Sequence, residues 1–379
     1  MEKMTKKHRK HSKLERVEGG DFHRLEFGFL GAPCSTIQNL CEAVTQKLDG
    51  DFGDFKIAYV DADHGKSEED EKIFSSLYTD KISFHRFDID SVNKVINKTL
   101  FNESAAVFVN GNHFKTDRQI LILNNAKEES LKRKLDRIDK VELIVMEDAT
   151  EVFAFLKEHL QEKIKDIEIV DIKEIDKIAN RISSIIKEKI PVLNGLVFIG
   201  GKSVRMGEAK ENIIYHKEPQ AEHLAKLISH YTASVKLAGR KNQDSAFNYP
   251  IQEDTFEGLG PMGGILTAFQ KTPNQALLTV PCDAPLIDDD FIKYLVANRN
   301  SNKVATCYYN PETNFPEPLI CIWEPRVYPI LLSYLSWGYS CPRKVLINSE
   351  IELLKTETPI KMMNVNTPED KVKVLDVLG

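Results

Sequence analysis

A glycine-rich segment with two cationic side chains is the part of this sequence best suited to binding phosphate. An apolar run at residues 193–199 leads directly into Gly200 and Gly201, and Arg205 and Lys210 follow shortly after. Glycines let a backbone approach phosphate closely, and free N–H groups at a helix start point toward the anion. Arginine and lysine can neutralise the charge of a triphosphate. Glycine turns after strands are frequent, so this segment alone is a weak signal.

An aspartate at the end of a second apolar run could hold a metal ion. Residues 277–283 read LLTVPCD, which predicts a buried strand ending near Asp283. Ligands of parallel α/β sheets bind outside the carboxyl ends of strands, where a carboxylate can hold Mg²⁺ between nucleotide phosphates. The alternative role for Asp283 is the N-cap of a helix that follows Pro285.

Alternating strand and helix patterns position these residues. In the first half, apolar runs predict strands at 25–30, 55–60, 105–109, 119–123 and 141–146. After the first strand, helical spacing predicts a helix that buries Ile37, Leu40, Cys41, Val44 and Leu48. Residues 155–190 predict a helix, a short strand at 167–170 and a second helix. In the second half, strands are predicted at 193–199, 233–237, 276–280 and 303–308, with a helix near 220–229.

These patterns predict an α/β protein of two domains, each with a mainly parallel, helix-covered sheet. A chain of 379 residues is long enough for two cores. Pro191 cannot continue a helix, so the boundary is expected within about five residues of it. The predicted organisation is a basic flexible tail at 1–20, a first domain at 21–190 and a second at 191–379.

Composition excludes several classes of protein. The net charge of -6 gives no basic field for nucleic acid. No apolar run reaches the roughly 18 residues of a membrane span, and the polar N-terminus lacks the apolar stretch of a secretory signal. The six cysteines show no metal-ligand spacing and are expected to be reduced thiols, which favours a cytoplasmic protein.

The second half resembles the molybdenum-cofactor guanylyltransferases in five ordered segments. Residues 198–207 (FIGGKSVRMG) resemble their LAGGxSxRMG signature, and Lys210 falls where the family has the lysine of its DK pair. Residues 258–265 (GLGPMGGI) resemble the GPLAGx loop, and 280–285 (VPCDAP) resemble the CDxP strand end. Residues 364–370 (NVNTPED) resemble the closing NxNTPED motif.

This resemblance implies a Rossmann-like, glycosyltransferase-A-like fold and an Mg²⁺-dependent transfer of GMP from GTP to molybdopterin, with release of pyrophosphate. The nucleotide would contact the strand end and turn at Phe198, Ile199, Gly200 and Gly201. Arg205, Lys210 and Asp283 would carry catalysis. Asp283 and Asn366 would bind the metal, and Asp254 would contact the base or ribose. GTP and molybdopterin are the expected partners, with molybdoenzyme apoproteins or other cofactor-biosynthesis proteins beyond them.

Departures from the family pattern keep alternatives open. Ile199 replaces the usual alanine, and the segment ending at Arg240 lacks an asparagine that many members have, which affects base choice more than phosphate chemistry. A cytidylyltransferase, a sugar-phosphate nucleotidyltransferase or a non-catalytic nucleotide-binding scaffold protein are the other interpretations. Ser340 and Arg343 resemble a stretch associated with the pterin substrate, and a solvated surface loop is their alternative.

The first half resembles the GTP-binding accessory protein of molybdenum-cofactor guanylation, but its phosphate loop is degenerate. A working P-loop reads GxxxxGK[ST]. With Gly31 as the first glycine, Thr36, Ile37 and Gln38 occupy the glycine, lysine and hydroxyl positions. Residues 58–65 (AYVDADHG) resemble that protein's second strand and the turn after it. A P-loop-like fold without normal NTP hydrolysis is therefore expected.

Overall fold

The computed structural model describes residues 20–50, 55–62, 76–80, 85–89, 99–199, 209–239 and 247–379. The chain divides into two compact units. The N-terminal unit comprises His23–Ile190 and Asn300–Val304. The C-terminal unit comprises Pro191–Arg299, Ala305–Gly379 and, of the described residues before His23, Gly20, Asp21 and Phe22. The predicted basic tail at 1–20 lies outside the described residues except for Gly20.

A parallel sheet of six strands forms the centre of the N-terminal unit. The strands of this unit are β1 (Glu26–Leu30), β2 (Ile57–Val60), β3 (Ser76–Asp80), β4 (His85–Ile89), β5 (Ala106–Asn110), β6 (Arg118–Leu123), β7 (Val141–Met146) and β8 (Ile169–Asp171). The order in the large sheet is β2-β5-β1-β6-β7-β8, and β3 and β4 form a separate antiparallel pair. All six strands predicted for this half are confirmed, whereas the β3–β4 pair was not predicted.

Helices cover both faces of this sheet. They are α1 (Cys34–Gly50), α2 (Glu128–Lys132), α3 (Ala154–Leu160) and α4 (Ile175–Glu188). On one face α1 packs against α4, and their apolar residues share a core with Phe27 and Phe29 of β1. On the other face α2 and α3 pack over Leu30 and Leu121. Alternate residues of a strand point to opposite faces, so each buried strand contributes to both cores. The five residues predicted to be buried on α1 are confirmed.

A mixed sheet of seven strands forms the C-terminal unit. Its strands are β9 (Leu193–Phe198), β10 (Val235–Gly239), β11 (Ile251–Glu253), β12 (Ala276–Pro281), β13 (Ala305–Asn310), β14 (Phe315–Trp323) and β15 (Ile351–Leu354). The order is β11-β10-β9-β12-β14-β13-β15, with β14 antiparallel to both of its neighbours. The four strands predicted for this half are confirmed, and β11, β14 and β15 are additions.

Six helices of eleven residues or fewer accompany this sheet in the described part of the unit. They are α5 (Gln220–Ser229), α6 (Pro261–Lys271), α7 (Asp289–Ala297), α8 (Val327–Ser336), α9 (Pro342–Ile347) and α10 (Pro368–Leu378). Residues of α5 and α7 share a core with β9 and β12, where Leu224 and Phe291 join Val197 and Leu278. On other elements, α6 packs against α8, and α9 packs against β14. The predicted α/β class and the helix at 220–229 are confirmed. In the described part of the chain, no helix combines the length and the apolar character that crossing a membrane needs.

Strand β14 contains two prolines although it lies inside the sheet. Proline has no N–H group to donate to a strand ladder, so Pro316 and Pro318 are unusual inside a sheet. The structure pairs the far end of β14 with β12, in the register Leu277↔Trp323 to Thr279↔Cys321. The prolines therefore lie at the opposite end of β14, near the point where the chain leaves β12 toward Asp283. Fewer backbone N–H donors are needed at this end, because β12 does not pair with it.

Candidate active site

The candidate site begins where the strand order of the C-terminal sheet reverses. β9 pairs with β10 on one side and with β12 on the other, and ligands of α/β sheets bind at such a switch point. The Phe198 carbonyl accepts a hydrogen bond from the Cys282 N–H at 3.1 Å, which holds the two strand ends together. Ile199 is buried, and its N–H donates to the Ala238 carbonyl at 3.1 Å.

Three of the predicted site residues come together beyond these strand ends. The Lys210 Nζ donates to Asp283 Oδ2 at 3.2 Å and to Asn366 Oδ1 at 2.7 Å. Lys210 and Asp283 keep 14% and 26% of their side-chain surface exposed, so the pair is partly shielded from solvent but open to a ligand. Gly200, Gly201 and Arg205 lie outside the described residues, so their predicted contacts with phosphate remain predictions.

Asp283 does not cap a helix. The N-cap of α7 is Asp288, whose carboxylate accepts from the Phe291 N–H at 3.0 Å. Asp283 instead anchors the closing segment of the chain, because its carbonyl accepts from the Val365 N–H at 2.7 Å. The Asp283 carboxylate is thereby left for side-chain and ligand contacts.

The donor set around Asp283 fits a hard divalent cation. Its Oδ1 is buried and has no hydrogen-bond partner among the described residues, and a carboxylate oxygen of this kind is a preferred ligand of Mg²⁺. Asn366 contributes an amide oxygen on the other side of Lys210. Within the described ranges, no group of three or more His, Cys, Asp or Glu side chains could hold a metal. A cation held here would take most of its ligands from substrate phosphates and water, as is usual for Mg²⁺.

A capping box holds Asn366 in place. Thr367 is the N-cap of α10: its hydroxyl accepts from the Asp370 N–H at 3.2 Å, and Asp370 Oδ2 accepts from the Thr367 N–H at 3.0 Å. The same carboxylate oxygen accepts from the Asn366 N–H at 3.1 Å. These bonds lower the pKa of Asp370, the bond from Asn366 contributing most. The closing NTPED residues thus fix the backbone from which Asn366 reaches Lys210.

Asp254 lies at the other end of the same sheet edge. It follows β11, and its N–H donates to the Gly239 carbonyl at 3.2 Å. Three strand spacings separate β11 from β12, which is about 14 Å across the sheet. Asp254 Oδ1 is buried without a hydrogen-bond partner in the described part of the chain, and burial raises the pKa of this carboxyl to about 6. Such an orphaned acceptor is suited to N–H or O–H donors of a ligand.

The glycine-rich loop before α6 needs its glycines for backbone reasons. Gly260 is the N-cap of α6 with φ of 59°, a left-handed conformation that side chains disfavour. A Cβ at Gly263 would lie 2.4 Å from the Phe256 carbonyl oxygen. Gly263 lies in the first turn of α6, so the start of this helix approaches the Phe256 backbone more closely than any other residue type would allow.

A buried glutamate near this site was not predicted. Glu317 of β14 is 5% exposed, and its carboxylate accepts from Asn310 Nδ2 at 3.2 Å and from the Leu319 N–H at 3.3 Å. Burial raises the pKa of Glu317, and the Asp283 charge raises it further, whereas the Arg343 charge acts to lower it. The sequence signal that could have indicated this residue is an acidic side chain between two prolines, next to an apolar run.

Arg343 lies in this neighbourhood, because its charge acts on Glu317 together with that of Asp283. It belongs to α9, and its Nε is buried without a hydrogen-bond partner among the described residues. A fully solvated arginine would not bury this nitrogen. Its predicted contact with the acceptor remains a prediction.

The degenerate phosphate loop of the N-terminal unit serves packing at the positions where a P-loop would bind phosphate. Ile37, at the lysine position, is fully buried in the core, and Gln38 donates to Glu42 at 2.9 Å on the surface of α1. Gly31 has φ of 103°, which permits the tight turn between β1 and α1. Cys34 at the start of α1 lies 3.3 Å, Sγ to Nε2, from His113, a pair that the sequence did not indicate.

Comparison with known proteins finds relatives of the C-terminal half. Residues 195–350 match the family model of the MobA-like NTP transferase domain. A molybdenum cofactor biosynthesis bifunctional protein from Synechocystis is 35% identical over 181 residues, covering 47% of this chain and 52% of that protein. A probable molybdenum cofactor guanylyltransferase from Carboxydothermus hydrogenoformans is 28% identical over 190 residues, covering 48% of this chain and 95% of that protein.

A solved structure also resembles this half. The molybdopterin-guanine dinucleotide biosynthesis protein A from Archaeoglobus fulgidus covers 49% of this chain and 98% of its own, with 17% identity and a TM-score of 0.42. The chain spans about half the length of the Synechocystis protein. The family resemblance predicted from the sequence is confirmed for residues 195–350.

Proposed function

We propose that this chain, whose residues 195–350 form a MobA-like NTP transferase domain, transfers GMP from GTP to molybdopterin and releases pyrophosphate. The observation that supports this most strongly is the convergence of Lys210, Asp283 and Asn366 beyond the strand ends at the switch point. A cation and two oxygen ligands at this place suit a triphosphate.

In the proposed reaction, a phosphate oxygen of the acceptor attacks the α-phosphorus of GTP, and the bond to the pyrophosphate breaks. Such chemistry depends on positioning and on charge neutralisation more than on a protein nucleophile. Lys210 would bind the triphosphate oxygens, and Arg205 would add a second cation. A divalent cation, for which we propose Mg²⁺, would be held by Asp283 and Asn366 and would neutralise further phosphate charge.

The guanine base is proposed on two features of the chain. Gly200 and Gly201 match the paired glycines of the guanylyl pattern, whereas cytidylyl relatives usually show an alanine and a glycine there. Asp254 offers a buried carboxylate oxygen at the far end of the sheet edge. A carboxylate suits the N–H donors of guanine or the hydroxyl groups of ribose.

The remaining parts of the chain have supporting roles in this proposal. The N-terminal unit would act as a non-hydrolysing accessory domain, because its phosphate loop lacks the lysine and the hydroxyl. The six cysteines are expected to be reduced thiols, and we propose a cytoplasmic location on that ground. Apoproteins of molybdoenzymes or other proteins of cofactor biosynthesis would be the recipients of the product.

A direct assay tests the proposal. The purified full-length chain is incubated with molybdopterin, Mg²⁺ and one labelled nucleotide at a time, and pyrophosphate and the dinucleotide product are followed. Release with GTP that depends on molybdopterin is expected. Turnover with CTP alone would assign the chain to the cytidylyl class, and no turnover with any nucleotide would favour the scaffold interpretation.

A further inference from the structure

A surface groove of the C-terminal unit has no role in the proposed reaction. This lateral groove has a volume of about 580 Å³ and lies between α7 and the segment that follows β15. None of the candidate site residues that the structure describes lines it. Its volume lies within the range of about 300–1,000 Å³ that is usual for small-molecule pockets.

Stacked aromatic rings form one wall of the lateral groove. The Tyr308 ring is buried and stacks on Phe291, with centroids 4.1 Å apart and planes inclined by 15°. Tyr294 is inclined by 17° to Tyr308 at a centroid distance of 6.4 Å, and 49% of its surface is exposed. The hydroxyl of Tyr308 donates to the Phe291 carbonyl at 2.7 Å, which ties the wall to α7. A flat, anchored aromatic wall of this kind is suited to stacking a planar ring.

Cations and hydroxyl groups lie on the facing segment. Lys355 is exposed and makes no ion pair within the described part of the chain. Lys361 is held at 2.5 Å by Asp288, and its ammonium lies 5.9 Å from the centre of the Phe291 ring. The hydroxyls of Thr356 and Thr358 lie 3.2 Å apart in a tight turn. One free cation beside two hydroxyls suits a phosphate group.

Two carboxylates at the rim add acceptors. Asp290 and Glu357 line the groove, and neither makes an ion pair with another described residue. A carboxylate accepts two parallel hydrogen bonds, which suits a ring edge carrying adjacent N–H donors. A ligand without such donors would meet these two negative charges without compensation.

We propose that the lateral groove binds a planar 2-amino-4-oxo heterocycle that carries a phosphate group, the chemistry shared by guanine nucleotides and pterin phosphates. The ring stacks on Tyr294, its donor edge faces Asp290 or Glu357, and the phosphate contacts Lys355. This binding goes beyond the transfer reaction and does not require Asp283.

Titration calorimetry on the full chain in Mg²⁺-free buffer tests the proposal. GMP and 6-hydroxymethylpterin phosphate are the two probes, and AMP and inorganic phosphate are the comparisons. At least one probe should bind more tightly than both comparisons. Binding of GMP would identify the ligand as a guanine nucleotide, and binding of the pterin probe would identify it as a pterin phosphate. Failure of both probes to bind at concentrations up to about 5 mM would overturn the proposal.

Four variants test whether the ligand binds in the lateral groove. Tyr294→Leu should weaken it about fivefold or more, the lower end expected for the loss of one ring stack. Lys355→Gln should weaken it and reduce its salt dependence. Lys293→Gln, which removes the same charge from the exposed side of α7, should leave it unchanged. Equal binding by Tyr294→Leu, Lys355→Gln and wild type would place the ligand elsewhere. Asp283→Asn should keep this binding even though it loses transfer, so the two proposals can fail separately.

Discussion

Replacing Asp254 by asparagine is expected to stabilise the C-terminal unit at neutral pH. Burial raises the pKa of this carboxyl from 3.8 to about 6. The folded state therefore holds its proton more tightly than the unfolded state does. The free energy of unfolding therefore falls as the pH rises from about 4 to about 6. Above that range the full cost of burying the ionised Asp254 carboxylate is present. An uncharged side chain of the same shape does not have this cost.

The size of the effect follows from the shift. Roughly two pKa units correspond to about 3 kcal/mol. Asp254 is only about half-buried, so solvent screening reduces this to about 1.5 kcal/mol in the free energy of unfolding. For a unit of this size, that gain raises the melting temperature by about 3–6 °C.

Thermal unfolding of wild type and Asp254→Asn without nucleotide, measured from about pH 4 to about pH 8, checks this reasoning. Asp254→Asn should be more stable than wild type at about pH 8, and this difference should vanish as the pH falls toward about 4. Asp376→Asn, which changes an exposed carboxylate on α10, is the control and should show no such trend. A variant that is less stable than wild type at about pH 8, or a difference that does not change with pH, would refute the desolvation argument.

Three further predictions follow from the other contacts. Lys210→Gln should lower the transfer kcat/KM by about a hundredfold or more, because it removes a charge that faces the triphosphate, whereas Lys217→Gln at an exposed position should not. Thr367→Ala should lower the free energy of unfolding in denaturant titration by about 1 kcal/mol, through loss of the α10 cap; an unchanged value would contradict the capping role. Limited proteolysis should cleave near Pro191 and leave two stable fragments, and a chain that resists cleavage there would contradict the predicted domain boundary.

The regular parts of the fold could be predicted because their signals are local. The apolar spacing of Ile37, Leu40, Cys41, Val44 and Leu48 specifies one face of α1, and those residues are the buried ones. The strands leading to Phe198 and Asp283 are nearly continuous apolar runs, which is typical of strands buried on both faces.

Elements that depend on distant partners could not be predicted. Strand β14 carries Pro316 and Pro318, and its place in the sheet is possible because β12 pairs only with its far end. Three-residue β11 is too short to show a period, and it becomes a strand by pairing with β10.

The candidate site shows the same division. Lys210, Asp283 and Asn366 could be named from motifs, yet their meeting depends on a strand order that brings together residues 156 positions apart. Glu317 and the true helix cap, Asp288, required the structure, because local sequence does not tell which acid lies against a helix start and which is buried.

The most direct test of the proposed mechanism is the transfer rate of Asp283→Asn beside that of Asp288→Asn, at saturating Mg²⁺, GTP and molybdopterin. Asp288 is a helix cap, and asparagine caps about as well as aspartate, so Asp288→Asn should keep a rate within a few-fold of wild type. Asp283→Asn replaces a buried carboxylate oxygen with a much poorer ligand for a hard cation, and should lose about a hundredfold or more in rate while its melting temperature stays near that of wild type. A rate for Asp283→Asn within a few-fold of wild type would contradict the metal-binding role and the proposed transfer mechanism with it.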